Sequence, residues 1–437
     1  MVDQTATARL QRLVRWLEQF KSCFGHRAQL LSLRSYVQGV FSDSERKSMQ
    51  AMLARVTEPV AYQAFQHFIT HAPWEADRVW RRLRAIVPER RGVLILDGTS
   101  FPKQGARSVG VARQYCGALG KIANCQVATT VALWTGVRAW FLGATLYLPE
   151  AWLTTEARQR GRIPATVTFG EKWRHALTLL RQVRAAGFEL TAVIGDAEFG
   201  DVTVLRAALH RLRLAYALGV SSTLTVFRQR PRLLTRPPRA DGQGRPRTAR
   251  RVAPTDRPMS VAEIAQQLPP SAWRWVRWRN GRQPSRRARF AAMRVTPARG
   301  WRVGRLAPEV WLLCEQEADG DLKYYLVHLP AKTGLRQLVE LAHQRWAIEQ
   351  QYQELKSELG LDHFEGRTYP GWHHHVALTA VAHAYIQHER MRRGAAHLTF
   401  PAVRAIVQEI FTALLFAAKP GYMRWMQQAH QELQLRI

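Results

Sequence analysis

Residues 92–100 read GVLILDGTS, and residues 188–201 read FELTAVIGDAEFGD. Each stretch is an apolar run that reaches an aspartate, Asp97 or Asp196, just before a polar turn that contains glycine. Such runs are typical of strands that are buried on both faces. A single aspartate in this position is more often a cap for the following turn. Two of them, each after a buried strand, favour a shared reactive site, because α/β folds place functional groups at such points.

The segments around these two strands predict the rest of a sheet. NCQVATTVALW (124–134) and AWFLGATLYLP (139–149) are β-rich, and the intervening TGVR predicts a hairpin turn. EKWRHALTLLRQVRAAG (171–187) predicts an amphipathic helix that stops at its final glycine. A further helix and strand are predicted over residues 202–220. The order β-β-β-α-β-α-β, followed by a helix, is that of ribonuclease H-like folds, so we expect an α/β fold with a mixed sheet and flanking helices.

The charge of the chain indicates a polyanionic partner. There are 64 Lys and Arg residues against 33 Asp and Glu, a formal net charge of +31. Nucleic acid is the leading candidate, ahead of a merely basic soluble enzyme. Four scattered cysteines without CxxC pairs argue against a zinc ribbon or a disulfide framework. Neither a signal peptide nor a membrane-length apolar run is recognisable, so we expect a soluble intracellular protein that does not associate with a membrane.

Composition along the chain predicts five regions. The first is helical, and its last two helices are joined by the short TEPV (57–60), which fits either a DNA-reading helix-turn-helix or plain packing. A later stretch holds ten arginines and five prolines without apolar periodicity and is predicted to be a mobile basic loop. The predicted regions are a DNA-binding domain (1–90), the first part of a catalytic domain (91–220), a β-rich insertion (221–330) with the basic loop (228–257), the second catalytic part (331–390) and a helical tail (391–437).

A third carboxylate comes from the helix predicted at RWAIEQQYQELK, residues 345–356. On a regular helix Glu349 lies roughly 40° from Arg345 and about 20° from Lys356, so all three face one way. Ion pairing on a solvated helix face is the alternative explanation of this spacing. If the strands of Asp97 and Asp196 are neighbours, their carboxylates need a cation between them. Mg²⁺ is the natural choice for oxygen ligands and phosphate chemistry, with Glu349 as the third ligand.

Together these residues resemble DDE-class insertion-sequence transposases, in the branch with a Tyr-x2-Arg-x3-Glu-x6-Lys signature. Residues 96–126, 193–201 and 359–386 resemble the blocks around the first aspartate, around the second aspartate and after the glutamate helix of that family. Two positions depart from its pattern. Ala342 replaces the signature tyrosine, and Gly98 stands where many relatives have an acidic residue.

The resemblance implies an enzyme that binds the terminal inverted repeats of its element, cleaves DNA there with Mg²⁺-activated water, and joins the freed 3′-OH to target DNA. It also implies a homodimer on double-stranded DNA. Two Mg²⁺ ions would lie on Asp97, Asp196 and Glu349, and Mn²⁺ is expected to substitute. Arg345 and Lys356 would contact phosphates near the cleaved end. Further DNA contacts are expected from motif-block residues, namely Lys103, Arg113, Lys121 and Arg367. A nuclease without strand transfer and a catalytically inactive DNA-binding protein are the rival functions.

Three tryptophans mark the predicted insertion, which in this branch assists hairpin formation or base flipping. Trp273, Trp275 and Trp278 occur in SAWRWVRW, where an i,i+2 pair would share one strand face. An exposed indole could stack on an extruded base. For at least two of the three, burial in the core of a small inserted sheet is the favoured reading. The histidine run at 373–375 predicts packing or DNA contacts and not a metal site, because neighbouring residues point to different helix faces.

Overall fold

The computed structural model of the protein describes residues 4–235, 250–278, 285–298, 306–395 and 397–418, together with Gly421 and Gln428. Its fold is mixed α/β, with one large sheet and helices packed against both faces, as the sequence predicts. None of the helices within these ranges is both long enough and apolar enough to cross a membrane.

The chain begins with five helices, which are α1 (Gln4–Glu18), α2 (Arg27–Val40), α3 (Met49–Ala54), α4 (Tyr62–Thr70) and α5 (Ala76–Ile86). The first half of the sheet and its helices follow, namely β1 (Arg91–Pro102), β2 (Ala112–Cys116), β3 (Lys121–Trp134), β4 (Ala139–Leu146), α6 (Thr155–Gly161), α7 (Lys172–Ala185), β5 (Glu189–Gly195), α8 (Ala197–Gly200), α9 (Thr203–Arg211) and β6 (Tyr216–Val220).

The next segment is mainly β, and it contains β7 (Thr225–Phe227), β8 (Leu233–Thr235), β9 (Arg250–Val252), β10 (Met259–Ser260), α10 (Val261–Gln266), β11 (Arg274–Trp278), β12 (Arg286–Pro297), β13 (Val310–Gln316) and β14 (Leu322–His328). The remaining elements are helical, namely α11 (Leu335–Ala342), α12 (Trp346–Gln353), α13 (Tyr369–Glu389) and α14 (Phe400–Ala418). A 3₁₀ turn (His343–Arg345) precedes α12, and a π-helical turn (Glu354–Glu358) follows it. Apart from Gly421 and Gln428, the part of the predicted tail beyond residue 418 lies outside the described residues.

Twelve described strands form one mixed sheet in the order β10-β7-β12-β13-β14-β6-β5-β1-β3-β2, with β4 also on β3 and β11 also on β12. The predicted hairpin is confirmed, since β3 and β4 pair antiparallel around residues 135–138. The predicted helix over 171–187 is confirmed as α7, followed by Gly187 at φ +84°. The two aspartate-bearing strands are neighbours, because β1 pairs parallel with β5.

The core lies on both faces of the central strands. Along β1, Leu94 and Leu96 pack into one apolar cluster while Val93 and Ile95 pack into another on the opposite face. Alternate residues of a strand point to opposite faces. A continuous apolar run is therefore what a doubly covered strand requires.

The β-rich insertion does not form a separate sheet. β14 pairs antiparallel with β6, and β13 and β12 follow, so these strands continue the sheet that carries the two aspartates. The two ends of the predicted basic loop pair as β8 and β9, which gives those ends regular structure. The middle of that loop, residues 236–249, lies outside the described residues.

The N-terminal helices share one core with α13. The indole of Trp16 donates to the carbonyl oxygen of Val381 at 3.2 Å. The hydroxyl of Tyr36 lies 2.5 Å from Nδ1 of His375. His374 stacks on Trp74, with ring centroids 3.7 Å apart. His374 and His375 are therefore packing residues.

Candidate active site

The register of β1 and β5 brings two carboxylates together. Ile95 is opposite Ile194 in this parallel pair. Asp97 follows Ile95 by two residues on β1, and Asp196 follows Ile194 by two residues just past the end of β5. By strand alternation both are expected on the same side of the sheet as those isoleucines. That side is covered by α11 and α12. Ile348 of α12 packs into the apolar cluster that contains Ile95 and Ile194. The convergence expected from the sequence is thus produced by the parallel pairing.

Asp196 is held at the start of α8. Its Oδ1 accepts a hydrogen bond from the backbone N–H of Glu198 at 3.0 Å, so the capping role considered for such an aspartate is real here. The short helix lies close against β6, because a Cβ added at Gly200 would be 1.7 Å from the carbonyl oxygen of Gly219. The carboxylate of Glu198 lies close to Gly98, since a Cβ at Gly98 would lie 3.1 Å from Oε2 of Glu198.

Asp97 is a buried carboxylate, with only 6% of its surface exposed. Burial raises the pKa of Asp97 to about 7, and the negative charges of Asp196 and Glu349 act in the same direction. Arg345 opposes this shift, as does the backbone N–H of Gly98. The raised pKa of Asp97 therefore comes mainly from burial, and Arg345 offsets part of it.

Arg345 bridges the first and third carboxylates. Its Nη1 lies 3.3 Å from Oδ1 of Asp97, and its Nη2 donates to Oε1 of Glu349 at 2.7 Å. Glu349 has a side chain that is 62% exposed. Burial acts to lower the pKa of the Arg345 guanidinium. The negative charges of Asp97, Glu349 and Asp196 outweigh this effect and raise the pKa. The i,i+4 ion pair considered as an alternative does form, and it is part of the cluster around Asp97.

The helix that carries Glu349 does not stay regular as far as Lys356. After Gln353 it widens into the π-helical turn, so the 20° angle expected for a regular helix does not apply. Lys356 reaches β1, where its Nζ donates to the carbonyl oxygen of Ser100 at 3.0 Å and lies 5.4 Å from the ring centre of Phe101. Burial lowers the pKa of Lys356. The amine therefore lies three residues beyond Asp97 along the same strand.

The donor set suits a hard divalent cation, although the described residues do not present a ready-made ion site. No three His, Cys, Asp or Glu side chains within them are grouped closely enough to hold a metal ion. Asp97 and Glu349 are instead held by Arg345. Burial makes the ionised form of Asp97 costly, and a cation beside the carboxylate would stabilise that form. Exposed Glu349 is free to turn toward such an ion once its pairing with Arg345 is released. The three carboxylates therefore fit the expected ligand set.

A polar cavity of about 470 Å³ opens beside Glu349 and was not predicted from the sequence. Arg286 and Arg287 line it from β12, and Tyr325 lines it from β14. Tyr325 donates from its hydroxyl to Oε2 of the buried Glu315 at 3.0 Å. Ala342 lines the same cavity. A tyrosine therefore does reach this space, but from a strand of the insertion and not from the signature position.

The remaining predicted DNA contacts fall into two groups. Arg113, Lys121 and Arg367 are exposed. Lys103 is half-buried and donates to the carbonyl oxygen of Phe364, so its amine is already used within the protein.

The three tryptophans of the insertion have different surroundings. Trp278 is buried and stacks on His343 with ring centroids 4.2 Å apart, and it lines the cavity beside Glu349. Trp273 is half-buried against the core. Trp275 is exposed, and Arg287 lies 5.2 Å from its ring centre. Of the three, only Trp275 keeps a free ring face of the kind that base stacking requires.

Comparison with known proteins identifies the family. The model of the DDE superfamily endonuclease family matches residues 19–285, and the chain belongs to that family. Asp97 and Asp196 lie inside the matched range, whereas Glu349 lies beyond it. This confirms the resemblance to DDE-class transposases that the motifs indicate.

One relative and one solved structure give more particular similarities. The chain is 29% identical over 212 residues to a probable transposase for insertion sequence element IS701 from Microchaete diplosiphon. The match covers 47% of this chain and 53% of that protein, so the chain spans about half the length of the curated relative it matches. The cryo-EM structure of the piggyBac transposase synaptic complex with hairpin DNA aligns with a TM-score of 0.45 and 9% identity, covering 93% of this chain and 76% of that chain.

Proposed function

We propose that this protein is a DNA transposase of the insertion-sequence type with a ribonuclease H-like catalytic sheet. It would bind the terminal inverted repeats of its element, cleave DNA at the element ends and join the freed 3′-OH to target DNA. One observation carries the proposal. In a DDE superfamily endonuclease, the carboxylates of Asp97 and Glu349 share the guanidinium of Arg345, and Asp196 directly follows the neighbouring strand β5.

Asp97, Asp196 and Glu349 would hold two Mg²⁺ ions, for which Mn²⁺ would substitute. When bound, two such ions supply activation of the attacking oxygen and neutralisation of charge on the leaving oxygen. Arg345 would release Glu349 as it takes up a phosphate, because a guanidinium binds phosphate oxygens in a bidentate manner. Lys356, held on β1 beyond Asp97, would contact the same backbone.

The charge of the chain supports duplex DNA as the substrate. A net charge of +31 favours a phosphate backbone, and Arg286 and Arg287 bring two further cations beside Glu349. Two protomers, one on each element end, would form the active complex. The protein would act in the bacterial cytoplasm on nucleoid DNA.

The test begins with the DNA that brackets the coding sequence, where imperfect inverted repeats are expected. Purified protein, Mg²⁺, a duplex with such an end and a target plasmid should give cleaved ends and joined products. Nicking without joining would indicate a nuclease without strand transfer, and binding without either would indicate an inactive DNA-binding derivative.

Glu349→Gln should abolish cleavage and leave binding of the end intact. Glu340→Gln is the matched control, because Glu340 also pairs with an arginine four residues away, Arg336, at 2.8 Å. Cleavage by the Glu349 variant would remove that residue from the site.

A further inference from the structure

An exposed apolar surface lies at the end of the β2–β3 hairpin. Tyr115 is 65% exposed, Ile122 is 61% exposed, and Leu119 in the turn between the two strands is 49% exposed. Tyr115 and Ile122 are directly opposite each other in the antiparallel register. These three side chains are called the hairpin tip below. Large apolar side chains grouped in this way commonly mark a contact surface.

The hairpin tip lies on the catalytic face of the sheet. Thr130 of β3 is opposite Asp97 of β1, and its hydroxyl lies 2.5 Å from that of Tyr352 of α12. Ile122 is eight residues from Thr130 on the same strand, an even number, so both point to one face. The turn of the hairpin folds back toward β1, because Sγ of Cys116 lies 3.4 Å from Oγ of Ser100, three residues beyond Asp97.

The hairpin is fixed relative to the catalytic strand. The backbone N–H of Ala118, in the turn, donates to Oγ of Ser100 on β1 at 2.9 Å. Nδ2 of Asn124 donates to the carbonyl oxygens of Lys103 at 2.7 Å and Gly105 at 3.0 Å. Cys116, between Tyr115 and the turn, is fully buried. A rigid projection at a fixed distance from Asp97 can set where along a bound duplex it makes contact.

Charge identifies the occupant of this surface. Residues 101–126 contain four cations and no Asp or Glu, namely Lys103, Arg107, Arg113 and Lys121. Arg113 and Lys121, both exposed, are next to the tip, with Arg113 two residues before Tyr115 on the same strand face. A second copy of this strongly basic chain would be repelled by these cations. A phosphate backbone would be attracted by them.

We propose that the hairpin tip inserts as an apolar wedge into the duplex DNA that binds at the catalytic carboxylates. Tyr115 and Ile122 would enter a base step, while Arg113 and Lys121 hold the phosphates on either side. Apolar side chains flanked by cations unstack and kink DNA in this way, and the distortion allows more of the duplex to lie against the protein. This inference rests on the proposed transposase function, since it needs DNA at the catalytic carboxylates.

The experiment uses the full chain and a duplex of the terminal repeat, with 2-aminopurine placed at successive positions and no divalent metal present, so that cleavage does not occur. Wild-type protein should raise the fluorescence at a single position of the duplex, where the wedge enters. The double variant Tyr115→Ala/Ile122→Thr should lose that signal and about 10-fold in affinity. A mismatch at the signalling step should raise the affinity of wild type more than that of the double variant, because only wild type unstacks that step and a mismatch lowers the cost of unstacking.

Two controls separate the wedge from its neighbours. Val137→Thr removes a side chain that is 64% exposed in the turn at the opposite end of β3, and it should change neither readout. Arg113→Ala should reduce the slope of log affinity against log salt by about 1, whereas the double variant should leave the slope unchanged.

Three outcomes would overturn the inference. The first is a fluorescence signal that survives the double variant. The second is no signal at any position although wild type binds and cleaves the end. The third is a change in the oligomeric state of the free double variant by light scattering. If wild type neither binds nor cleaves the end, the proposed function itself fails, which this design distinguishes from failure of the wedge alone.

Discussion

Replacing Asp97 with asparagine should stabilise the metal-free protein at alkaline pH. Burial raises the pKa of this carboxyl from its ordinary 3.8 to about 7. A group with a raised pKa in the folded state contributes stability that is fully present below about pH 4 and is lost as the pH rises to about 7. One pKa unit corresponds to about 1.36 kcal/mol, so ionising Asp97 at pH 8 costs up to about 4 kcal/mol. Asparagine has the same shape and carries no such cost.

The assay is urea denaturation of wild type and Asp97→Asn in EDTA at pH 5 and pH 8. About 2.5 kcal/mol of the cost falls between these two pH values, so the variant should gain that much relative to wild type over the interval. Mg²⁺ at pH 8 should reverse the order by stabilising wild type and not the variant. Asp77→Asn, which removes an exposed carboxylate on α5, should show no comparable change. A stability difference for Asp97→Asn that is the same at both pH values would refute the reasoning.

Three further outcomes are expected. Gly200→Ala should lower the free energy of unfolding, measured in urea, by about 1–3 kcal/mol, because its methyl group would meet the carbonyl oxygen of Gly219. The control Gly105→Ala should leave the free energy of unfolding unchanged, because its methyl group would have no neighbour within 4 Å. His383→Leu should destabilise by about 1–3 kcal/mol, because buried Glu354 would lose a partner at 3.2 Å; an unchanged urea midpoint would contradict this. Affinity for element-end DNA should fall steeply with salt in a titration from 50 to 200 mM, and a flat response would argue against a backbone-dominated interface.

The arrangement of Asp97 and Asp196 could be predicted because it depends on local pattern. Continuous apolar runs mark doubly covered strands, and the intervening helix makes a parallel pair the simple connection. Parallel neighbours bring their carboxyl ends to one edge, so the meeting of the two aspartates follows. β2 was missed because ARQYC is short and alternates exposed and covered residues at the edge of the sheet.

The surroundings of Glu349 could not be predicted, because they come from distant parts of the chain. Arg286 and Tyr325 reach the cavity only because the insertion strands continue the catalytic sheet, which no local pattern reveals. The π-helical turn that contains Lys356 likewise has no marker in its sequence, ELKSE. Spacing on an assumed regular helix placed Arg345, Glu349 and Lys356 on one face but did not predict their contacts.

The pairing of β14 with β6 means that the insertion protects a sheet edge. If residues 221–330 were removed, β6 would expose a row of unpaired backbone groups next to the strand that leads to Asp196. Open edges of this kind recruit other chains and promote aggregation. The insertion therefore cannot be lost or exchanged as an independent unit, and its ancestry is tied to that of the catalytic strands. Any lineage that dispensed with it would first need another cover for β6.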